Sequence, residues 1–450
     1  MTGTTQDTQD DEPFAEAGHR LVAGRDLAEL ADAVADDVAA VRFRSADGDE
    51  RFHVDAVPRI IDAGDWAGVE RGLAQRVRAL NAFVGDVYGE RRIVAEGVVP
   101  ARVIDGAAGH QPEMRGLRPA NDVWIGIAGL DLVREPSGRF VVLEDNTTTP
   151  SGFGYAAAAR RAVGGQLDAA DDAGLRDIDE LPELLAGTLH AVRPEGATGL
   201  AVVLTDGPRN SAYWEHAWAA WAIGVPLVTP GQLRSDGERL WVGDRQVAAV
   251  YRRTDADRVD TGVGELLHGP LRAGTLGVVN GFGTAVADDK LSHAYVAEMV
   301  RFYLGEEPLL ESVPTFDLGD PERLEEVLDR LDEMVVKPRD GHGGRGVTLG
   351  PHASPAELDD VRRDLAAEPT RYIAQPLVLL STHSTVIGGE LRQRHVDLRP
   401  FVFLHEGGRA RVLPGGLTRV ALEAGAMVVN STRNGGAKDT WVLEAGARHR

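Results

Sequence analysis

Cysteine is absent from all 450 residues. Its absence removes disulfides, thiolate metal sites and a cysteine nucleophile, and nothing suggests export. Also missing are an apolar run long enough to cross a bilayer and a basic-then-apolar signal segment at the N-terminus. A cytoplasmic location is the expectation. Positive charge is in short supply: 70 Asp and Glu stand against 48 Lys and Arg, for a net charge of −22. So acidic a chain argues against a general phosphate-seeking face for nucleic acid. Lysine is scarcer still, with 3 of the 48 basic residues: Lys290, Lys337 and Lys438. A chain that writes nearly every cation as arginine keeps lysine where a compact point charge is useful, although chance survival explains any single one as well.

What is present is a globular composition, 43% hydrophobic and 26% charged, and enough length for two or three domains or one multi-lobed enzyme. Residues 1–20 read as an acidic, disordered leader. Residues 21–112 read as an N-terminal helical region, because "DLAELADAVADDVAAV" and "DWAGVERGLAQRVRALNAFVGDVYG" place apolar residues three and four apart. Residues 113–165 are turn-rich with β-branched runs. In 166–300, "GLAVVLTDGPRNSAYWEHAWAAWAIGVPLVTP" has the rhythm of strand, loop, helix and strand, one unit of an α/β layer. Residues 301–450 alternate short strands and helices and end β-rich. No internal repeat or low-complexity linker interrupts them.

Two stretches carry chemistry. "LDEMVVKPRDGHGGRGVTLG" is a strand with Lys337 at its end, a glycine-rich turn and a second strand. Gly341, Gly343, Gly344 and Gly346 would let the backbone close over phosphates and aim N–H groups at them. It is neither a Walker loop nor a dinucleotide fingerprint, and an ordinary glycine-rich hairpin has the same composition. The second stretch, "GLDLVREPSGRFVVLEDN", reads as a β-hairpin. With Ser137-Gly138 as a tight loop, Leu132 faces Leu143 and Asp131 faces Glu144. Opposed side chains lie roughly 4.5–5.5 Å apart at Cβ, so like charges there call for a cation. Asn146 follows on the same face. Two carboxylates and an amide oxygen make a hard site suited to Mg²⁺. A solvated acidic sheet face is the structural alternative.

With these stretches side by side, the chain resembles the ATP-grasp superfamily in its circularly permuted type 2 form. The resemblance runs from about residue 80 to the end through "PEMRGLRP", "PSGFGY", "VYRRTD", "VADDKLSHAYVAEMVRFYLGEEPLL" and "VDLRPFVF…LPGGLTRVAL…VVNSTRNGGAKDTWVL". In unpermuted members the Asp…Arg strand and the Asn…Gly-Gly segment precede the Asp…Glu-x-Asn hairpin. Here the hairpin comes first, and joining the C-terminal stretch to residue 116 onward restores the usual order. The fold implied is mixed α+β and α/β: a circularly permuted ATP-grasp domain, a pre-ATP-grasp α/β domain and the helical N-terminal region. On this plan 113–165 is the permuted metal-hairpin piece, and 301–450 holds the nucleotide-binding subdomains.

The resemblance implies roles residue by residue. Lys290 and Lys337 would meet the α- and β-phosphates, and the loop glycines would cover them. The hinge at Gln375 to Leu377 would meet the adenine edge. Relatives often have Gln-Glu where this chain has Gln375-Pro376, so a backbone donor would come from Leu377. Asp131, Glu144 and Asn146 would hold Mg²⁺. Arg115, Arg118 and Arg399 would bind the γ-phosphate and the oxyanion formed as it moves, with surface ion pairing as the alternative. Asn430 and Lys438 would line the phosphate or acyl-phosphate side. Arg209, Asn210, Arg252 and Arg253 would help hold a carboxylate or acceptor. Thr147, Thr148 and Thr149 stand where a large or cationic residue is common and would leave a roomier wall.

The activity implied is ATP- and Mg²⁺-dependent joining of a carboxylate to an amine through an acyl phosphate, on amino-acid or peptide-like substrates. A phosphotransferase on the same fold and a nucleotide-binding partner protein with little catalysis are the alternatives. The expected partners are small-molecule or peptide carboxylates and amines, with neither nucleic acid nor membrane. Many relatives carry an extra helical domain, so a separately encoded helical partner fits the pattern, as does a homo-oligomer.

Overall fold

Pro400 divides one flank of the central sheet into two strands. Glu390–Arg399 ends at it and Phe401–His405 begins after it, and both pair antiparallel with the single strand Ile127–Arg134. Leu398 lies opposite Leu132, and Phe403 lies opposite Ile127. A proline has no N–H for the ladder, so the break falls there. The computed structural model describes residues 15–45, 48–167, 174–341, 346–423 and 435–446.

Around that junction runs a nine-stranded sheet. Phe140–Asn146 covers the other flank of Ile127–Arg134, while Leu417–Ala421 and Gly435–Val442 continue the sheet beyond Glu390–Arg399. The early hairpin and the late strands are thus hydrogen-bonded neighbours, the connectivity expected of a domain whose chain was opened elsewhere. The termini of a compact domain usually lie close enough for such a rejoining.

The region before residue 113 is not only helical. Val54–Ile61 is a strand buried along its whole length, and it pairs in parallel with Gly435–Val442, Ile60 beside Trp441. Its sequence VDAVPRII does not alternate, because both faces are covered and the usual signal of a half-exposed strand is lost. The helix Ala63–Val87 follows, capped by Asp62, whose carboxylate accepts the N–H groups of Gly64 at 2.7 Å and Asp65 at 3.0 Å. Trp66, Leu73, Leu80 and Phe83 form its buried stripe. A helix at Ala15–Val22 begins inside the expected leader.

A six-stranded sheet contains the expected α/β unit. Leu227–Val228, Leu200–Thr205, Arg245–Arg253 and Gly277–Val279 run parallel, with the helix Tyr213–Ala222 between the second and first of these in sequence. The four-stranded sheet of Phe316–Asp317, Tyr372–Pro376, Met334–Pro338 and Thr348–Leu349 carries the glycine loop. It has its own small core, from Leu318, Val327, Leu331, Met334, Val336, Leu365 and Ala374. Among the described residues no helix is long and apolar enough to cross a membrane.

Candidate active site

The hairpin places Asp131 opposite Glu144, by a route other than the one expected. The turn is not a two-residue loop. Glu135 donates its N–H to the Arg139 carbonyl at 2.9 Å, and Gly138, at φ +87°, closes a three-residue connection. That loop pairs Arg134 with Phe140 and Leu132 with Val142, so the expected Leu132–Leu143 pair does not form. Leu143 is then the extra residue of a bulge, and from Glu144 onward the register returns to Asp131–Glu144 and Gly129–Asn146. With Leu143 kept in the ladder instead, Glu144 and Asn146 would turn to the opposite face.

Cations from three directions meet this face. Arg399 grips Asp131 with both prongs, Nε to Oδ1 at 2.6 Å and Nη2 to Oδ2 at 2.8 Å. Arg419 adds a contact to Oδ2 at 2.9 Å and forks onto Asp397 as well. Burial raises the Asp131 pKa, but Arg399 and then Arg419 outweigh it and bring the carboxyl to about 2. Lys290 pairs with Glu144 and also donates to the Gly341 carbonyl at 2.8 Å, bridging the hairpin and the glycine loop. Lys337 donates to Gln375 Oε1 at 2.6 Å, and Gln375 Nε2 donates to Thr315 at 2.9 Å. Burial lowers the Lys337 pKa to about 8, with Glu144 opposing and Lys290 assisting.

Asp131, Glu144 and Asn146 offer a hard, all-oxygen donor set to a divalent ion. Asn146 Nδ2 is buried without a hydrogen-bond partner, so its amide is not committed elsewhere. Among the described residues no group of three or more His, Cys, Asp or Glu is gathered for a metal, and with two carboxylates and one amide this set lies outside that pattern. The donors fit Mg²⁺, provided that Arg399 and Lys290 turn toward phosphate when it binds.

Other expected residues lie elsewhere. Lys438 pairs with Thr418, one residue off Arg419, and therefore faces the opposite side of the sheet. Its ammonium is fully buried against Asp55 and the Ser384 carbonyl, the latter at 2.8 Å. Arg115 and Arg118 are exposed on the loop before the hairpin. The Arg115 carbonyl accepts Arg272, and Arg118 lines an apolar cavity with Met114, Leu117, Trp124 and Phe282. Neither makes a hydrogen bond or ion pair with the Asp131 cluster. The Leu377 N–H is directed across the strands to the Glu333 carbonyl at 3.4 Å. Gly341 and Gly346 flank the loop, Gly346 at φ +70°, whereas Gly343, Gly344 and Asn430 lie outside the described residues. Arg252 is buried against Asp257 and stacks on Phe282. Arg253 holds the Pro150 carbonyl at 2.7 Å, Ser151 and Glu215. Asn210 is tied to Asp255 at 3.0 Å, and Arg209 is exposed.

Several supporting residues had no signal in the motifs. Asp145, between the two hairpin ligands, faces backwards into a fork from Arg76 at 2.6 and 2.7 Å and a contact with His293 at 2.7 Å. Gly129 clears room beside Asp131, since a Cβ there would lie 2.9 Å from Pro150. The Asn280 amide ties the start of the first hairpin strand to the exit of the second through four hydrogen bonds of 2.6 to 2.8 Å. Of the three threonines after Asn146, Thr147 and Thr148 give their hydroxyls to Asp288.

Comparison with known proteins identifies the family and the fold. The model of the family described as circularly permuted ATP-grasp type 2 matches residues 58–421. A putative glutamate–cysteine ligase of Frankia alni is 45% identical over 406 residues, covering 87% of this chain and 47% of the relative. One from Frankia casuarinae is 44% identical with the same coverage, so the chain spans about half the length of these relatives. An uncharacterized protein of Synechocystis is 43% identical over 417 residues, 89% of this chain and 86% of its own length. Among solved structures, a glutathione synthetase-like effector from Globodera pallida in its apo form aligns with a TM-score of 0.65 at 12% identity, over 97% of this chain and all of that one, a likeness of fold. The chain belongs to the circularly permuted ATP-grasp type 2 family.

Proposed function

We propose that this protein is an ATP-dependent carboxylate–amine ligase that releases ADP and phosphate and acts on amino-acid or peptide-like substrates. The observation that carries the reading is the meeting of Asp131, Glu144 and Asn146 on one face of the hairpin with Arg399, Lys290 and Lys337. Phosphoryl transfer asks a protein chiefly for positioning and charge neutralisation, and these residues supply both without a protein nucleophile. The ligase names of the two Frankia relatives support the same class.

In this reading Lys337 and Lys290 bind the phosphate chain, and Gln375 orients Lys337. Glu144, Asn146 and Asp131 would hold Mg²⁺, which when bound neutralises phosphate charge. Arg399, released from Asp131, turns to the transferring phosphoryl group and the carboxylate that receives it. Arg115, Arg118 and Asn430 would act on the phosphate or acyl-phosphate side, Leu377 and the loop glycines would meet the nucleotide, and Lys438, enclosed by Asp55 and backbone carbonyls, would brace the sheet behind them. The carboxylate oxygen attacks the γ-phosphorus and ADP leaves. The amine then displaces phosphate from the acyl phosphate to form the amide.

The test is ADP release from Mg·ATP across a panel of amino acids, polyamines and peptides, with products weighed by mass spectrometry. Release that requires both a carboxylate and an amine, with product mass equal to their sum less one water, supports the ligase. A product heavier by one phosphate group would instead identify a kinase, and binding without turnover would identify a nucleotide-binding partner protein.

A further inference from the structure

Asp288, Asp289 and Lys290 are consecutive, yet they reach three parts of the molecule. Asp288 Oδ1 accepts both the backbone N–H and the hydroxyl of Thr147. Its Oδ2 accepts the N–H of Thr148 at 3.2 Å and the Thr148 hydroxyl at 2.5 Å. Asp289 caps the short helix that begins at Lys290, taking the Leu291 N–H at 2.9 Å, and receives Arg339 Nε at 2.9 Å. Arg339 stands two residues beyond Lys337 and is also held by the Val103 carbonyl at 2.7 Å. Lys290 joins Glu144 to Gly341.

Four donors converge on the Asp288 carboxylate, and among the described residues no cation pairs with it. An amide could not replace it. Backbone N–H groups approach both oxygens, and one of them would face an NH₂. The grip also fixes the chain direct from the ligand strand, since Thr147 follows Asn146 without an intervening residue. The hydroxyls of Thr147 and Thr148 therefore serve this carboxylate.

Resting on the nucleotide and metal reading above, we propose that Asp288 is a positioning residue. By gripping Thr147 and Thr148 it sets the separation between Glu144 and Asn146 on the metal side and Lys290 on the phosphate side, so that divalent metal and nucleotide bind cooperatively. The coupling passes through two adjacent backbone segments that share one carboxylate, and it is reciprocal between the two ligands.

The experiment is calorimetric titration of the full chain with ADP, with and without Mg²⁺, for the unsubstituted protein, Asp288→Asn, Thr148→Val and Thr148→Ser, with thermal melting of each. The ratio of the two ADP affinities is the coupling. Asp288→Asn is expected to reduce it by about tenfold while metal-free ADP affinity stays within about twofold. Thr148→Ser keeps the hydroxyl and the coupling, and Thr148→Val loses part of it. A merely structural role would lower the melting temperature and leave the ratio unmoved. Folded Asp288→Asn with unsubstituted coupling overturns the inference. If that variant does not fold, equal coupling in Thr148→Val and Thr148→Ser overturns it. An unsubstituted chain that binds no ADP under either condition removes the functional reading itself, and this inference with it.

Discussion

Asp131 faces Glu144 across the hairpin only because two offsets cancel: a three-residue turn shifts the pairing by one, and the bulge at Leu143 shifts it back. The face that results is acidic from both strands and is neutralised by Arg399, Arg419 and Lys290. Glu144→Gln keeps the shape of the side chain and removes its charge. We predict at least a hundredfold fall in ADP release with the melting temperature nearly unchanged. Turnover within about threefold of the unsubstituted protein would separate the hairpin from the chemistry.

Deleting Leu143 should remove the bulge and still leave Glu144 and Asn146 on the face of Asp131. Val142 would then be followed directly by Glu144, so the register set by the turn would run on unbroken from Leu132–Val142 to Asp131–Glu144. Retained Mg²⁺-dependent nucleotide binding is the expected outcome, and its loss with the sheet intact by circular dichroism would contradict this register.

Arg419 lies between two buried carboxylates, Asp131 and Asp397. Arg419→Met leaves buried charge without its cation and should cost about 3–5 kcal/mol in urea unfolding. Arg399→Met should cost less, because Asp131 keeps Arg419, and should act mainly on turnover. Equal losses of stability in the two variants would contradict this division.

Lys438 is expected to behave as a structural residue, because its ammonium is enclosed by Asp55 and backbone carbonyls. Lys438→Met should destabilise by about 3–5 kcal/mol, with part recovered in the double variant with Asp55→Asn. A variant that folds with full stability and loses turnover would return Lys438 to the phosphate side.

Lys337 sets a pH dependence whose sign follows from its lowered pKa of about 8. In the free protein the amine is about half charged near that pH, and a bound phosphate favours the charged form. Nucleotide binding should therefore take up protons around pH 8 and none at pH 6.5, where the amine is already charged. For folding, the unfolded chain holds this proton more tightly, so the cost of burying the ammonium is full below pH 8 and is relieved as pH rises from about 8 toward 10.5. Calorimetry in buffers of different ionisation enthalpy measures the uptake, and Lys337→Met should abolish it.

Local chemistry was legible in the chain. The hairpin with its paired acids, the lysine-and-glycine loop and the strand–helix–strand unit each lie within a few tens of residues, where spacing and turn chemistry reach. Asp131, Glu144 and Asn146 sharing one face belongs with them, although the turn and bulge that produce it did not show in the pattern.

What the folded chain alone decided is which distant groups meet. Lys290 and Glu144 are 146 positions apart, and Arg399 and Asp131 are 268 apart, so no periodicity connects them. Strand parity, read only from the pairing of Lys438 with Thr418, turned a motif lysine away from the site. Val54–Ile61 looked like no strand because burial on both faces erases alternation. Of the three threonines after Asn146, the first two give their hydroxyls to Asp288, a partner 141 and 140 positions away that no local pattern announces. Sequence constrains neighbours through the backbone, and a buried carboxylate selects its partners only when packing brings them within hydrogen-bond reach.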